Sequence, residues 1–385
     1  MRKKKILKII ACCLTIVFLT AAAVLGAELV LLHKIMGSTA DPMRFLRTMN
    51  LLQRNYNGEV TTHQLFDGAI KGMVEAVGDP YTVYLNHKDY QQLSEMTNGS
   101  FGGIGIVFGK RGNDYVVISA LEDNPGAQAG IKSGDIITGI DGKSTREMNM
   151  EQVANKIRGE QGTEVELELQ DKEGRLRKVR VMRKEIKNPS VGGQLLPNTK
   201  IGYIRIAVFN ENTGTDFAKK YKELEQQGMQ ALVLDLRSNP GGVFDAGVQV
   251  AGMLVPKGPI VSVIDRDGNK VTESSELEKV KYPLAVLVDH GSASASEIVA
   301  GAIKDTKSGK LFGVKTFGKG SVQSVYRLDS GTAVKITVAK YYTPSGVSIH
   351  NVGIEPDVKV ELPEDAKVDV QLKAAEEYLL GELKK

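Results

Sequence analysis

The strongest constraint on the fold is a series of short apolar segments that alternate with helical patterns in the second half of the chain. The clearest runs from Leu284 to Asp289, and others run from Ile201 to Phe209 and from Ala231 to Leu236. Strands that are apolar on both faces are typical of parallel sheets covered by helices on both sides. The sequence therefore predicts an α/β core with a mainly parallel sheet.

A different pattern precedes this core. Alternating segments such as Val165 to Leu169 are separated by turn signals such as Asp141-Gly142, which predicts a compact β-rich domain. Before it, apolar residues recur at spacings of three and four, which predicts helices. In chain order, the predicted regions are a leader or anchor, a helical region, the β-rich domain, the α/β core and a terminal helix: residues 1–33, 34–95, 96–186, 187–365 and 366–385.

The chain begins with a basic cluster followed by an apolar stretch. Five of the 50 basic residues lie among the first ten, so the rest of the chain is close to neutral despite a formal net charge of +4. This balance argues against a nucleic-acid partner. Ile9 to Ala27 carries no charge and would span about 28 Å as a helix, close to the thickness of a bilayer.

We therefore expect residues 6–32 to contact the membrane as a single-pass anchor in the cell membrane. The basic flank places the folded region on the extracytoplasmic side. A cleaved signal peptide, with cleavage at small residues such as Ala23 or Ala27 and secretion of the remainder, is the alternative. The two cysteines, Cys12 and Cys13, also lie in this stretch, which excludes disulfides, thiolate metal sites and a cysteine nucleophile from the folded region.

The first candidate for chemistry is the segment from His290 to Glu297, which follows an apolar strand and opens a helix. The carboxyl ends of strands are where α/β sheets present active residues, and N–H groups at a helix start favour a developing oxyanion. Ser294 and Glu297 also have the spacing of a capping box, so Ser294 acting only as an N-cap is the alternative. The segment is not a G-x-S-x-G elbow, because none of its serines has a glycine two positions before and two positions after it.

The second candidate runs from Thr316 to Gln323 and places Lys319 between two glycines. A lysine in an apolar site loses its proton more easily, and a neutral lysine can take the proton of a serine hydroxyl. Lys319 and Gln323 are four positions apart, so one helical turn would place them on one face. A solvated turn is the alternative.

The third candidate, Asp235 to Gly242, follows another strand. Its paired glycines, Gly241 and Gly242, would let backbone N–H groups approach a substrate closely, although a turn capped by Asn239 explains the pattern equally well. A His-based triad would have to use His290 or His350, neither of which lies in a recognisable motif.

The glycine-rich stretch from Gly102 to Gly105 is followed by a strand pattern, which excludes a dinucleotide site because that site needs a helix. A glycine-rich loop that leads into a strand can offer N–H groups to the terminal carboxylate of a peptide, while the strand edge pairs with the peptide.

Together these segments resemble the carboxyl-terminal processing peptidases, the tail-specific protease family, over nearly the whole chain after residue 33. The resemblance implies that Ser294 is the nucleophile, Lys319 the general base and Gln323 the group that orients the lysine. It also implies an oxyanion hole formed by backbone N–H groups of the following residues: Ala295 and either Gly241 or Gly242.

The resemblance further implies a ClpP/crotonase-like peptidase core of the S41 type with an inserted PDZ domain. The carboxylate-binding loop of that domain would be formed by five consecutive residues: Gly102, Gly103, Ile104, Gly105 and Ile106. Ser292 and Ser296 would then be structural.

The activity implied is that of a serine endopeptidase that cleaves exported or membrane proteins near the C-terminus. Its PDZ domain would select apolar C-terminal tails, no metal or other cofactor would be needed, and a homodimer is expected by analogy. Two alternatives stay open: a PDZ peptide-binding scaffold without its own proteolysis, and a His-based hydrolase.

Overall fold

The computed structural model describes residues 40–363 and 366–385, together with isolated positions between 15 and 37. Within these residues, no helix is long and apolar enough to cross a membrane. The predicted membrane segment, residues 6–32, falls largely outside the described residues, so its role stays a prediction. The chain divides after residue 84 into two compact units.

The first unit holds two helices and the start of a short strand: α1 (Ala40–Asn55), α2 (Thr62–Glu75) and β1 (Val83–Leu85). Helix α2 begins with a capping box, in which Gln64 N donates to Thr61 Oγ1 at 3.2 Å and Thr61 N donates to Gln64 Oε1 at 2.9 Å. The helices predicted for residues 34–95 are thus present, with β1 interrupting them.

The second unit begins with helix α3 (His87–Asn98) and continues into a β-rich domain. The elements of this domain are β2 (Ser100–Gly103), β3 (Ile106–Arg111), β4 (Asp114–Ala120), α4 (Pro125–Gln128), β5 (Ile136–Ile140), β6 (Lys143–Ser144), α5 (Met150–Ile157), β7 (Glu164–Gln170), β8 (Leu176–Met182) and β9 (Lys184–Lys187). An antiparallel sheet has the order β3-β4-β5-β7-β8, with β6 beside β5, and β2 pairs with β9. Apolar residues such as Tyr115, Ile137 and Leu167 alternate inward to form a separate core.

The prediction of a glycine loop from Gly102 to Ile106 was partly wrong. Gly102 and Gly103 lie within β2 and pair with Glu185 and Lys184 of β9. Tertiary pairing across more than 80 residues therefore places Gly102 and Gly103 in a strand, and Ile106 begins the next strand, β3. The loop that remains is Ile104-Gly105, and the Ile104 side chain is buried in the domain core.

The α/β core follows, with fourteen elements in the order β10 (Val191–Leu195), β11 (Ile201–Ile206), α6 (Thr213–Gln226), β12 (Ala231–Asp235), α7 (Phe244–Gly252), β13 (Gly258–Asp265), β14 (Lys270–Ser275), β15 (Leu284–Val288), α8 (Ala295–Thr306), β16 (Lys310–Gly313), β17 (Ser321–Arg327), β18 (Ala333–Tyr342), β19 (Val358–Lys359) and α9 (Val370–Glu382). The main sheet has the order β10-β11-β12-β15-β16-β19 and is parallel except for the β10–β11 pair. A second, antiparallel sheet contains β17, β18, β13 and β14.

Every residue of β12 and of β15 is buried. Leu232 and Leu234 belong to a cluster with residues of α6, α7 and α8 on one face of the sheet. Val233 and Leu287 belong to a cluster with Ala375 and Leu379 of α9 on the other face. Burial on both faces explains why these strands are apolar throughout.

A buried ion network joins α9 to the carboxyl end of β12. Arg237 donates to both oxygens of Asp235 at 3.0 and 2.7 Å, and to both oxygens of Asp369 at 2.9 and 2.8 Å. The Asp235 side chain is 0% exposed, and it also accepts a hydrogen bond from Tyr203. This network fixes the start of the loop that leads from β12 to Gly241.

Replacing Arg237 with leucine would leave the buried Asp235 carboxylate without its cation. We expect Arg237→Leu to lower the free energy of unfolding by about 3–5 kcal/mol, because an uncompensated buried charge is strongly destabilising. Thermal and urea denaturation of the full chain would measure the loss. The control is Arg266→Leu, since the Arg266 side chain is 90% exposed and its removal should change stability by about 0.5 kcal/mol or less. Equal effects of the two substitutions would contradict this assignment.

Candidate active site

Ser294 lies between β15 and α8, as predicted, at the N-cap of the helix. Its backbone has φ 55° and ψ −115°, which is a strained conformation for a residue with a Cβ atom. Strain of this kind persists when the surrounding structure fixes it, and it often occurs at functional sites. The side chain is half-buried.

The two neighbouring serines are held by main-chain groups. Ser292 Oγ donates to Leu236 O at 2.8 Å, and Ser296 Oγ donates to Asn239 O at 3.0 Å. Both side chains are completely buried. They tie the segment around Ser294 to the loop that follows β12, so a structural role accounts for both.

The buried carboxylate of Glu297 joins the serine segment to the lysine segment. Glu297 Oε2 accepts hydrogen bonds from Ser294 N at 2.9 Å and from Lys319 N at 2.8 Å. Glu297 Oε1 accepts from Thr316 Oγ1 at 2.6 Å and from Gly318 N at 2.7 Å. One oxygen thus bridges the main chains of the two residues predicted to be nucleophile and base.

Burial raises the pKa of Glu297, while the four hydrogen bonds act in the opposite direction. All four groups donate to the carboxyl oxygens, an arrangement that suits an ionised carboxylate because it accepts at both oxygens. The spacing of Ser294 and Glu297 predicts the bond to Ser294 N. The bonds to residues 316–319 have no local signal in the sequence.

Lys319 lies in the loop between β16 and β17 and is half-buried. Burial lowers its pKa, the positive charge of Lys335 lowers it further, and the negative charge of Glu297 raises it in part. Tyr341 Oη donates to the Lys319 carbonyl, and Asn351 N donates to Gly318 O at 2.7 Å. The loop is therefore held in place, and the depressed pKa favours a neutral amine.

The predicted helical turn between Lys319 and Gln323 was wrong. Gln323 lies in strand β17, where it pairs with Thr337 across a β-bulge. Its Nε2 donates to Ser321 Oγ at 2.9 Å and to Thr337 Oγ1 at 3.2 Å. A spacing of four cannot distinguish a helix from a loop followed by a strand when the pairing strand is distant in sequence. The orienting role of Gln323 stays a prediction.

The glycine pair after β12 packs directly against the serine. A Cβ atom added at Gly241 would lie 2.7 Å from Ser294 Cβ and 2.8 Å from Ala295 N. The Gly241 N–H donates to Asn239 Oδ1 at 2.9 Å, so this donor is already used within the loop. Ala295 N begins a helix, where the first N–H groups have no intrahelical acceptor. This arrangement favours Ala295 and Gly242 over Gly241 as oxyanion donors.

Asn239 holds this loop, a role larger than the turn cap that its sequence predicts. Its side chain is completely buried, and its Nδ2 donates to Ile206 O at 2.8 Å. Its carbonyl accepts from Ala293 N at 3.0 Å and from Ser296 Oγ. Asn239 therefore connects β11, the glycine pair and the serine segment.

His290 and His350 are the histidines that a His-based triad would have to use. His290 is exposed, and His350 lies in the loop after β18, where its main chain packs against Gly320. In the part of the chain that the structure describes, no hydrogen bond joins His290 to Ser294. A triad built on His290 therefore has no geometric support among the described residues.

Three sequence models match the chain. Peptidase family S41 matches residues 200–360, a PDZ domain matches residues 116–171, and the activating protease CtpB N-terminal domain matches residues 34–89. The fold and the site thus define a serine protease of family S41 with a PDZ domain.

Comparison with individual proteins identifies the family within this class. The carboxy-terminal processing protease CtpA of Bacillus subtilis is 36% identical over 319 residues, which cover 82% of this chain and 68% of the relative. The carboxy-terminal-processing protease of Bartonella bacilliformis is 34% identical, covering 96% of this chain and 86% of the relative. The solved photosystem II D1 C-terminal processing protease is 32% identical, with a TM-score of 0.50 and coverage of 89% and 98% of the two chains. The chain belongs to the carboxyl-terminal processing peptidase family.

Glu297→Gln tests whether the carboxylate holds the site together. The amide nitrogen would replace one carboxylate oxygen and point its N–H groups at a main-chain N–H donor, so at least one hydrogen bond is lost and a buried donor is left unsatisfied. We expect the free energy of unfolding to fall by about 3 kcal/mol and peptidase activity to fall at least as strongly. The surface control is Glu355→Gln, whose parent side chain is 64% exposed. Wild-type stability and activity in Glu297→Gln would contradict the assignment.

Gly241→Ala tests the close approach of the glycine loop to Ser294. The added methyl collides with Ser294 and Ala295, so we expect a large loss of kcat. Because Gly241 has φ +91°, the substitution also introduces backbone strain. Gly268→Ala is the matched control, since Gly268 has φ +86° and nothing within 4 Å of the added atom. If both variants lose the same activity, strain and not the collision is responsible.

Proposed function

We propose that this protein is an endopeptidase with a Ser294–Lys319 dyad that cleaves protein substrates near their C-termini. The observation that carries the proposal is the Glu297 oxygen that accepts hydrogen bonds from both Ser294 N and Lys319 N. It brings together two residues that are 25 positions apart in the sequence. The pKa of Lys319 is lowered, so its amine becomes neutral, and able to act as a base, at a lower pH than the amine of an exposed lysine.

The reaction follows from these groups. Lys319 Nζ takes the proton of Ser294 Oγ while the oxygen attacks the carbonyl carbon of the peptide bond. Backbone N–H groups of Ala295 and Gly242 donate to the resulting oxyanion. The intermediate collapses as the C–N bond breaks, and the Lys319 ammonium returns its proton to the leaving amine. Water then attacks the ester with Lys319 as base, which releases the new carboxylate and restores the Ser294 hydroxyl.

Substrate selection is proposed to lie in the PDZ domain. Its loop at Ile104-Gly105 adjoins strand β3, which lies at an edge of its sheet. An edge strand can pair with an extended peptide, and apolar pockets beside it can select an apolar C-terminal tail. Gly102, Gly103 and Ile106 flank this loop as strand residues.

The location of the enzyme is proposed from the N-terminal sequence. Residues 6–32 would anchor the chain in the cell membrane with the protease on the extracytoplasmic side, or would direct secretion if cleaved. Assembly as a homodimer is proposed by analogy with relatives.

The decisive experiment measures cleavage of an unfolded reporter with an apolar C-terminal tail by the full chain. We expect wild type to cleave it, and Ser294→Ala and Lys319→Ala to be inactive while remaining folded and able to bind the tail peptide. Lys270→Ala, which changes an exposed lysine on β14, should keep wild-type activity. Because the neutral amine is the active form, kcat/KM should rise with pH through the lowered pKa of Lys319.

The outcomes separate the alternatives. Activity that survives in both Ser294→Ala and Lys319→Ala would place the nucleophile elsewhere. Peptide binding without cleavage by wild type would favour the PDZ scaffold. A pH profile controlled by His290, tested with His290→Ala, would favour a His-based hydrolase.

A further inference from the structure

The loop that carries the glycine pair and the loop that carries Ser294 leave two neighbouring strands of the parallel sheet, β12 and β15. Main-chain pairing of these strands ends at Leu236, whose N–H donates to Leu287 O at 3.0 Å. Beyond this point side chains join the two loops. The first of them belongs to Asp289, the residue that directly follows β15.

The Asp289 carboxylate binds both loops. Its Oδ1 accepts hydrogen bonds from Ser238 N at 2.7 Å and from Gly291 N at 2.9 Å, and its Oδ2 accepts from Ser238 Oγ at 3.1 Å. Ser292 Oγ lies 3.3 Å from the same Oδ1. The loops also touch here, because a Cβ atom added at Gly291 would lie 2.7 Å from Ser238 Cα. One carboxylate oxygen thus binds a main-chain N–H group from each loop.

Ser238 has a backbone conformation that needs such support. Its φ is +56°, in the left-handed region that residues with a Cβ atom rarely adopt. A conformation of this kind persists where the surrounding structure fixes it. Because Asp289 binds both the N–H and the hydroxyl of Ser238, it stabilises the turn that precedes the glycine pair.

This turn is connected to the proposed oxyanion hole by a short series of contacts. Asn239 follows Ser238 directly, and its Oδ1 accepts from Gly241 N at 2.9 Å. A displacement of the turn would therefore move the loop that carries Gly242 relative to Ala295. These two residues supply the N–H groups that we propose as oxyanion donors, and donors of this kind act only when they are held in position before the reaction.

We propose that Asp289 is a positioning residue of the peptidase, which fixes the separation of the two oxyanion donors by tying the loop after β12 to the loop after β15. The proposal rests on the function proposed above, and it adds a residue to which neither the motifs nor the spacing in the sequence pointed. Asp289 acts through the main chain of Ser238 and exchanges no proton with the substrate.

The test compares Asp289→Ala, which removes the acceptors, with Asp289→Asn in the full chain. We expect kcat of Asp289→Ala to fall about 100-fold while KM changes by about twofold or less, because a displaced donor weakens transition-state stabilisation and not substrate binding. Asp289→Asn should keep kcat within about threefold of wild type, since Oδ1 remains an acceptor and Nδ2 can donate to the Ser238 hydroxyl.

The matched control is Asp265→Ala, in the turn between β13 and β14. Asp265 also binds main-chain groups, since its Oδ1 accepts from Asp267 N and from Asn269 N at 2.9 Å each, and its loss should leave kcat unchanged. Thermal denaturation reports whether each variant is folded. If Asp289→Ala is unfolded, Asp289→Glu takes its place, because it keeps the charge but moves the acceptor by one methylene group, and it should lower kcat without raising KM.

A second readout follows the two loops without proteolysis. In the Ser294→Ala background, hydrogen–deuterium exchange is measured by mass spectrometry for the peptides that contain Ser238 and Gly291. Exchange at these amides should become about tenfold faster with Asp289→Ala, because their acceptor is lost. It should keep its original rate with Asp289→Asn and with Asp265→Ala.

The results separate this proposal from the dyad itself. Wild-type kcat in folded Asp289→Ala, an equal loss in Asp289→Asn, or a loss carried by KM overturns the role of Asp289. Unchanged exchange in Asp289→Ala overturns it even if Ser294→Ala and Lys319→Ala are inactive. Faster exchange and a lower kcat in Asp289→Ala, in an enzyme that still cleaves without Lys319, support the role of Asp289 and overturn the dyad.

Discussion

The active site depends on one buried carboxylate. Placing Glu297 in the core removes its charge from water, which costs several kcal/mol unless its oxygens are fully hydrogen-bonded. Four donors meet that need, one from the start of α8 and three from residues 316–319. The two groups of donors come from different loops. All four hydrogen bonds to the carboxylate therefore form only when both loops are in their native arrangement. Folding of the core and assembly of the site are therefore coupled.

The same coupling limits what the sequence can reveal. The apolar strands and the helix that starts after Ser294 follow from local patterns, and the structure contains both. The Ser294-to-Glu297 spacing predicts a hydrogen bond within one helical turn. The hydrogen bonds of Glu297 to Thr316, Gly318 and Lys319 cannot be predicted locally, because they form between two loops that are separate in the sequence. The adjacency of these loops follows from the strand order of the sheet and not from the sequence of either segment.

The incorrect expectations have one physical cause. Gln323 and Gly102 both lie in strands whose partners are distant in sequence, Thr337 across a bulge and Glu185 across the β-rich domain. Short segments have no decisive periodicity of their own, so tertiary pairing determines their structure.

The parallel sheet accounts for the order of the functional segments. Strands β12, β15 and β16 are neighbours in the sheet, and parallel strands present their carboxyl ends at the same edge. The loop with Gly241 follows β12, Ser294 follows β15 and Lys319 follows β16. Three loops that are separate in the sequence are therefore adjacent at one edge, and each holds one of the groups of the proposed dyad and oxyanion hole. Gln323 comes from the antiparallel sheet instead, in strand β17, which begins directly after the Lys319 loop.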